Sequence, residues 1–203
     1  MSYAEQRRRQ SRETEKRLMQ TAWELMSEQS FDAVSVRDIC RKAGVTTGAF
    51  YHHFPTKEAL LDRGYERMDD FIRARVEKSP ASRAIDNLRA IFLSYAAYME
   101  QESGELTARF YQNLLSSRSL QAFDQDRYIY TAVGRYFSQA VSEGDLTDRY
   151  PSAYMADFCV RHFRGTVIDW AFHKYAYPLS RQMESEFRFL CDLFRPARPV
   201  PAV

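Results

Sequence analysis

The stretch 35–54 constrains the fold more than any other, because Ala43-Gly44-Val45 joins two short helical patterns within it. Val36, Ile39, Cys40 and Ala43 recur at helical spacing after Ser35. Asp38 stands three residues beyond Ser35, which makes a capping box with Asp in the usual Glu or Gln place. Gly44 is free to adopt the positive φ that ends a helix, Ala43 is small enough for two helices to approach, and Val45 can plug the space between them. Thr46 or Thr47 caps a third, very short helix that runs to about His53, and Pro55 cannot continue it. Upstream, Leu18, Ala22, Leu25 and Met26 form one face of a helix over about 12–29. Three helices with a tight turn between the second and third describe a helix-turn-helix unit.

The rest of the chain reads as helical throughout. Leu60, Leu61, Tyr65, Met68, Ile72 and Val76 predict one helix over 57–78, capped by Thr56 and roughly 33 Å long. Further helices are expected at about 82–101, 105–117, 121–143, 151–175 and 181–195, with Gly104, Gly144-Asp145, Pro151 and Pro178 at the joints. No strand-length alternation bounded by turn pairs occurs. The expectation is an all-α fold of about nine helices. It comprises a helix-turn-helix domain over 1–56, a connecting helix over 57–78, a larger helical domain over 79–195 and an irregular, proline-rich tail over 196–203.

Charge locates the first domain's partner. The net charge of the 203 residues is only +2, but residues 1–60 carry 10 Lys/Arg against 8 Asp/Glu while the remainder carries 19 against 19. Within 1–17 the balance is 6 to 3. The third helix, TTGAFYHHF, opens with small side chains (Thr47, Gly48, Ala49) that would let its backbone sit deep in a DNA major groove. Tyr51, His52, His53 and Lys57 add donors for phosphates and base edges. Arg7, Arg8, Arg9 and Arg12 form either an arm that reaches a minor groove or backbone, or a solvated terminus. Arg37 either reads a guanine through its planar fork or pairs with a local carboxylate such as Asp38 or Glu28.

Enzyme and metal readings find little support. The three cysteines are far apart, with no CxxC or Cys/His cluster, as befits a reducing cytosol. His52 and His53 diverge on one helix, and His162 and His173 would lie roughly 16 Å apart along another, so no pair shares an ion. Asp169 and His173 suit an i, i+4 hydrogen-bonded pair. GxSxG, P-loop, HExxH and GxGxxG patterns are all missing, so neither catalysis nor a cofactor is expected. The basic N-terminus is followed by no apolar h-region, and no apolar run is long enough to cross a membrane, so a cytoplasmic location is expected.

Residues 14–61 resemble the DNA-binding domain of the TetR family of bacterial transcriptional regulators. The pattern comprises Leu18, Ala22, Leu25, Phe31, Val34-Ser35-Val36, Ile39, Ala43-Gly44-Val45, Gly48, Phe50-Tyr51, His53-Phe54, Lys57-Glu58 and Leu60-Leu61. Cys40 stands where Ala is usual and Thr46 where Ser is common. By position, the resemblance implies phosphate contacts from Tyr51, His53 and Lys57, with Ser35 and Thr47 adding contacts at helix N-termini. It places Thr47, Gly48, His52 and Arg37 at base edges, and Phe50 and Phe54 in the core. It also implies a homodimer built from the last two long helices, binding a near-palindromic operator on double-stranded DNA, and a ligand-responsive repressor role.

The second domain holds 23 of the 29 aromatic residues if it is counted from residue 61. Tyr95, Tyr98, Tyr111, Phe137, His162, Phe163, Thr166 and Trp170 combine flat apolar surface with polar tips. They are candidates for a cavity that takes a small aromatic or apolar effector. Met183, Phe187, Leu190, Cys191 and Phe194 form an apolar face in the last helix, which suits either its own core or a partner subunit. Two alternatives stay open: a DNA-binding regulator without a small-molecule ligand (an activator or protein-partnered), and a helical ligand carrier or enzyme with an incidental helical hairpin.

Overall fold

The structure, a computed structural model, describes residues 3–102, 104–116 and 123–196. Among the described residues there are nine α-helices and no strand: α1 Tyr3–Glu28, α2 Val36–Ala43, α3 Thr47–His53, α4 Gly64–Lys78, α5 Ala84–Gln101, α6 Gly104–Ser116, α7 Tyr128–Ser142, α8 Ser152–Phe172 and α9 Leu179–Leu193. The chain divides into two compact units, one of residues 1–65 with 105–122 and one of 66–104 with 123–203.

The first unit is organised around α3. Phe50 and Phe54 are fully buried with Leu18, Ala22 and Met26 of α1, Ile39 and Ala43 of α2, and Leu60 and Leu61. The expected caps form. Ser35 accepts from the Asp38 amide while Asp38 accepts from the Ser35 amide, and Gly44 ends α2 with φ +65°. Thr46, not Thr47, caps α3 by accepting from the Ala49 amide at 3.1 Å. The left-handed turn at Gly44 brings the Val45 amide back to the Cys40 carbonyl.

Three boundaries differ from expectation. Helix α1 begins at Tyr3, so Arg7, Arg8, Arg9 and Arg12 lie on a helix and not on an extended arm. Arg9–Glu13 at i, i+4 supports this first stretch. The connecting helix is not continuous over 57–78. Residues Glu58–Arg63 form a 3₁₀ turn in which Leu60 and Leu61 are both buried, and α4 starts only at Gly64. Helix α7 starts at Tyr128, seven residues later than predicted. The tail beyond Pro196 lies outside the described residues.

The sequence pattern puts helix α6 in the larger domain, but its residues 105–116 belong to the first unit. Its Leu106 joins the core around Phe50, Phe110 packs edge-on against Tyr65 with centroids 4.8 Å apart, and Arg109 pairs with Asp32.

The second unit packs α5, α7, α8 and α9 around Phe92. Its ring lies 4.3 Å from Phe163 of α8 and 6.1 Å from Phe187 of α9, centroid to centroid. Arg89 of α5 binds Glu184 of α9 through three N···O contacts of 2.8–3.1 Å. Asp69 of α4 and Arg127, just before α7, form a bidentate ion pair with both side chains nearly excluded from solvent. Removing one partner would strand a buried charge at a cost of about 3–5 kcal/mol. After α8, Lys174 and Tyr175 both take left-handed φ values. The Tyr175 ring stacks edge-on against Trp170, and its hydroxyl donates to the Gly104 carbonyl. A Cβ at residue 104 would overlap that ring, so only glycine fits there.

Tyr128 yields a direct test of the second unit's packing. Its hydroxyl is buried and has no hydrogen-bond partner among the described residues, and burial pushes its pKa up to about 12. A raised native pKa means that the neutral phenol is favoured, so stability is full below about pH 10 and falls as the pH rises toward 12. Tyr128→Phe removes an unsatisfied polar atom, so it should raise stability by about 1 kcal/mol and flatten this alkaline decline, as read by thermal unfolding between pH 7 and 11.

Candidate nucleic-acid interface

Because α3 spans less than two turns, burying one face determines what every other residue does. Phe50 and Phe54 point inward, four residues apart, and the rings of Phe50 and Tyr51 meet edge-on at 5.4 Å. That contact orients Tyr51, which stays 55% exposed. Thr47, Gly48 and His52 are exposed as well, so the start of α3 and its outer side form a surface of small and polar groups. On α2, Arg37 is exposed. Asp38, the adjacent carboxylate, accepts from Ser35 and pairs with Arg41, and its carboxyl is held below the usual range chiefly by the Ser35 hydroxyl. Arg37 has no carboxylate partner among the described residues and its guanidinium is available to a ligand.

The other three candidates sit differently. The Ser35 hydroxyl is committed to the capping box, where it donates to Asp38 and accepts from the Asp38 amide. His53 faces inward: its side chain is only 9% exposed and its Nδ1 lies 3.9 Å from Glu15 of α1, which also pairs with Arg63 at 2.9 Å. Lys57 donates to the carbonyls of Phe31 and Val34 at 2.8 and 3.0 Å, with its ammonium 4.3 Å from the Phe31 ring centroid. It staples the loop before α2 to the turn after α3, and one N–H remains for a phosphate. The structure thus brings Thr47, Gly48, Tyr51 and His52 together on α3 with Arg37 on α2; Ser35 is exposed at the start of α2 with its hydroxyl in the cap, and His53 and Lys57 are partly buried against Glu15 and the Phe31 and Val34 carbonyls.

The cations of the first unit divide cleanly. Arg9, Arg41, Lys42, Arg63 and Arg109 pair with carboxylates, and Lys57 with carbonyls. Among the described residues Arg7, Arg8, Arg12, Lys16, Arg17 and Arg37 are exposed and have no such partner. No group of three or more His, Cys, Asp or Glu side chains suited to a metal occurs among the described residues.

The eight aromatic and polar candidates of the second domain do not form one set. Tyr111 belongs to the first unit, whereas the other seven belong to the second. Phe137, Phe163 and Trp170 are core, and Trp170 donates to the Tyr177 carbonyl at 2.8 Å. Tyr98 is buried with its ring edge-on to Phe71, and burial, helped by Glu102, raises its pKa well above the usual phenol range. Tyr95 is also buried. His162 and Thr166 converge on one carboxylate oxygen of Glu186, at 2.9 and 2.6 Å. Glu186 carries no periodic or compositional signal and sequence reasoning missed it. His173 pairs with Asp169 at 3.3 Å, as the spacing predicts, on an exposed surface.

Residues 18–63 match the family model of bacterial regulatory proteins of the tetR family. The chain is 28% identical over 158 residues to the transposon Tn10 TetC protein of Escherichia coli, spanning 77% of each. It is 28% identical over 115 residues to the transcriptional repressor KstR2 of Mycobacterium tuberculosis, spanning 54% of this chain and 56% of that protein. Among solved structures, the TetR-family repressor FadR of Thermus thermophilus, in complex with lauroyl-CoA, superposes with a TM-score of 0.71 at 18% identity, covering 93% of this chain and 100% of that one. That likeness is one of fold.

The Lys57 staple can be tested without DNA. Lys57→Met forfeits two charge-assisted hydrogen bonds and should lower stability by about 2 kcal/mol in thermal unfolding of the free protein. An unchanged melting temperature would mean that Lys57 serves DNA alone.

Proposed function

We propose that this chain, whose residues 18–63 match the tetR family of bacterial regulatory proteins, is a ligand-responsive repressor that binds a near-palindromic operator as a homodimer. The observation that carries the DNA-reading part is the exposed set on α3 and α2, held by a fully buried opposite face. Arg37, Thr47, Gly48 and His52 read base edges and Tyr51 binds a phosphate, while His53, Lys57 and Ser35 hold the reading helix in position.

Dimerisation rests on the outer faces of α8 and α9. Met183, Phe187, Leu190 and Phe194 are buried in the subunit's own core, so the periodic apolar face of α9 is already used. A second set is left outside: Phe189 and Leu193 are 67% and 57% exposed, and Tyr154 and Phe172 of α8 are 55% and 77% exposed. On α8, Tyr154, Phe158, Arg161, Gly165, Ile168 and Phe172 follow one another at alternating steps of four and three residues, the spacing of a helix-packing seam. Two-fold pairing of such seams would present two reading helices about one DNA turn apart.

The effector in this proposal is small and aromatic or apolar, because the core of the second unit is rich in aromatic rings. The complex of Thermus FadR with lauroyl-CoA makes long-chain acyl thioesters the first compounds to try. A ligand that prefers the released arrangement by about 2.7 kcal/mol lowers operator affinity a hundredfold. The close packing of Phe92, Phe163 and Phe187 favours a second reading, a regulator with a filled body and no small-molecule ligand.

Three outcomes are expected. Arg37→Ala and His52→Ala should each change the sequence preference obtained by selection from a random duplex library, with discrimination at the affected base pair falling by about 1–3 kcal/mol. The double variant Phe189→Glu, Leu193→Glu should sediment as a monomer and lose operator affinity while keeping its helical content. Lauroyl-CoA and flat aromatic acids, titrated against the operator complex, should include a releasing compound. If compounds bind the protein and none shifts operator affinity, the filled-body reading stands.

A further inference from the structure

The first fifteen described residues of α1, 3–17, precede its first buried residue, Leu18, and extend about 22 Å beyond the core. Apart from Tyr3 and Ala4 they are polar or charged, so this extension has no apolar face to lay on a protein groove or a membrane. Its charges are sorted. Glu13 is taken by Arg9 and Glu15 by Arg63. Arg8, Arg12 and Lys16, at i, i+4 and i+8, form an exposed cationic row with one charge per turn, about 6 Å apart, and no acidic partner among the described residues. Like charges at i, i+4 destabilise a helix, and a helical stretch this short gains little by itself. The row therefore opposes the element that carries it unless a negative surface covers it.

Its direction is also defined. Glu15 turns toward the end of α3, where it meets His53, and toward Arg63. At 100° per residue, Arg8 and Arg12 lie within about 60° of Glu15 around the helix, and Lys16 about 100° away. The row thus begins on the side of α1 that faces the reading helix. We propose that the N-terminal extension of α1 is a second DNA-binding element, in which Arg8, Arg12 and Lys16 clamp the phosphate backbone beside the segment read by α3. A helix about 10–12 Å across cannot enter a minor groove about 6 Å wide, so this element binds across phosphates and carries no base-specific contact. The inference rests on the DNA-binding reading above and adds flank binding to it.

The experiment uses the full chain and two duplexes that carry the selected operator, one ending at its outermost base pairs and one with ten further base pairs on each side. The wild-type protein should bind the longer duplex more tightly, with a steeper salt dependence. Arg8→Gln, Arg12→Gln, Lys16→Gln together should abolish that advantage and flatten the logarithmic salt slope by about 0.9 for each phosphate no longer neutralised, leaving affinity for the short duplex unchanged. The charge-preserving set Arg8→Lys, Arg12→Lys, Lys16→Arg should restore both. A triple variant that keeps the full flank advantage and salt slope overturns the clamp while the operator reading stands. Equal losses on both duplexes also overturn it, because they would place the row within the operator contact or in the fold. A wild-type protein that selects no duplex overturns both readings.

Discussion

Everything the first unit offers to a partner depends on the burial of Phe50 and Phe54. A seven-residue helix has too few hydrogen bonds to persist alone, so α3 exists because its two rings are sealed among α1, α2 and the 3₁₀ turn. Sealing that face leaves Thr47, Gly48, Tyr51 and His52 outside, and it fixes their order. The same burial explains why polar groups around α3 serve the fold. Ser35, His53, Glu15 and Lys57 satisfy caps, a carboxylate and two carbonyls, and so brace the helix whose outer side is left free.

The second unit uses a different balance. Its core is aromatic and closely stacked, and its charges form ties between helices, including the shielded Asp69–Arg127 pair. The chain passes from the first unit to the second at residues 65 and 66, within α4. It returns to the first unit within α6, at residue 105.

Local chemistry carried most of the legible information. The capping box at Ser35 and Asp38, the Gly44 turn and the Phe50/Phe54 spacing are short-range features, each written within a few residues, and all appear as expected. Longer-range questions were illegible for physical reasons. Lys57 is a donor in any reading, but whether it meets a phosphate or the Phe31 and Val34 carbonyls depends on a loop more than twenty residues away. His162 and Thr166 look like pocket lining until Glu186 arrives from another helix. The exposed apolar residues Phe189 and Leu193 lie off the strongest apolar period of α9, which the core of the second unit consumes.

The sequence by itself determined the all-α class, the helix-turn-helix, the faces of its short helices and the slight basic excess of the N-terminal segment, because each follows from spacing, caps and composition along a continuous stretch. Only the tertiary structure decided which polar groups are left over. It gave His53 and Lys57 partners from distant parts of the chain, left Arg37 and the Arg8–Arg12–Lys16 row unpaired, and assigned α6 to the first unit. The reason is that satisfaction is a property of neighbours. A donor's availability is set by what folding brings within about 3 Å of it, and sequence distance does not measure that.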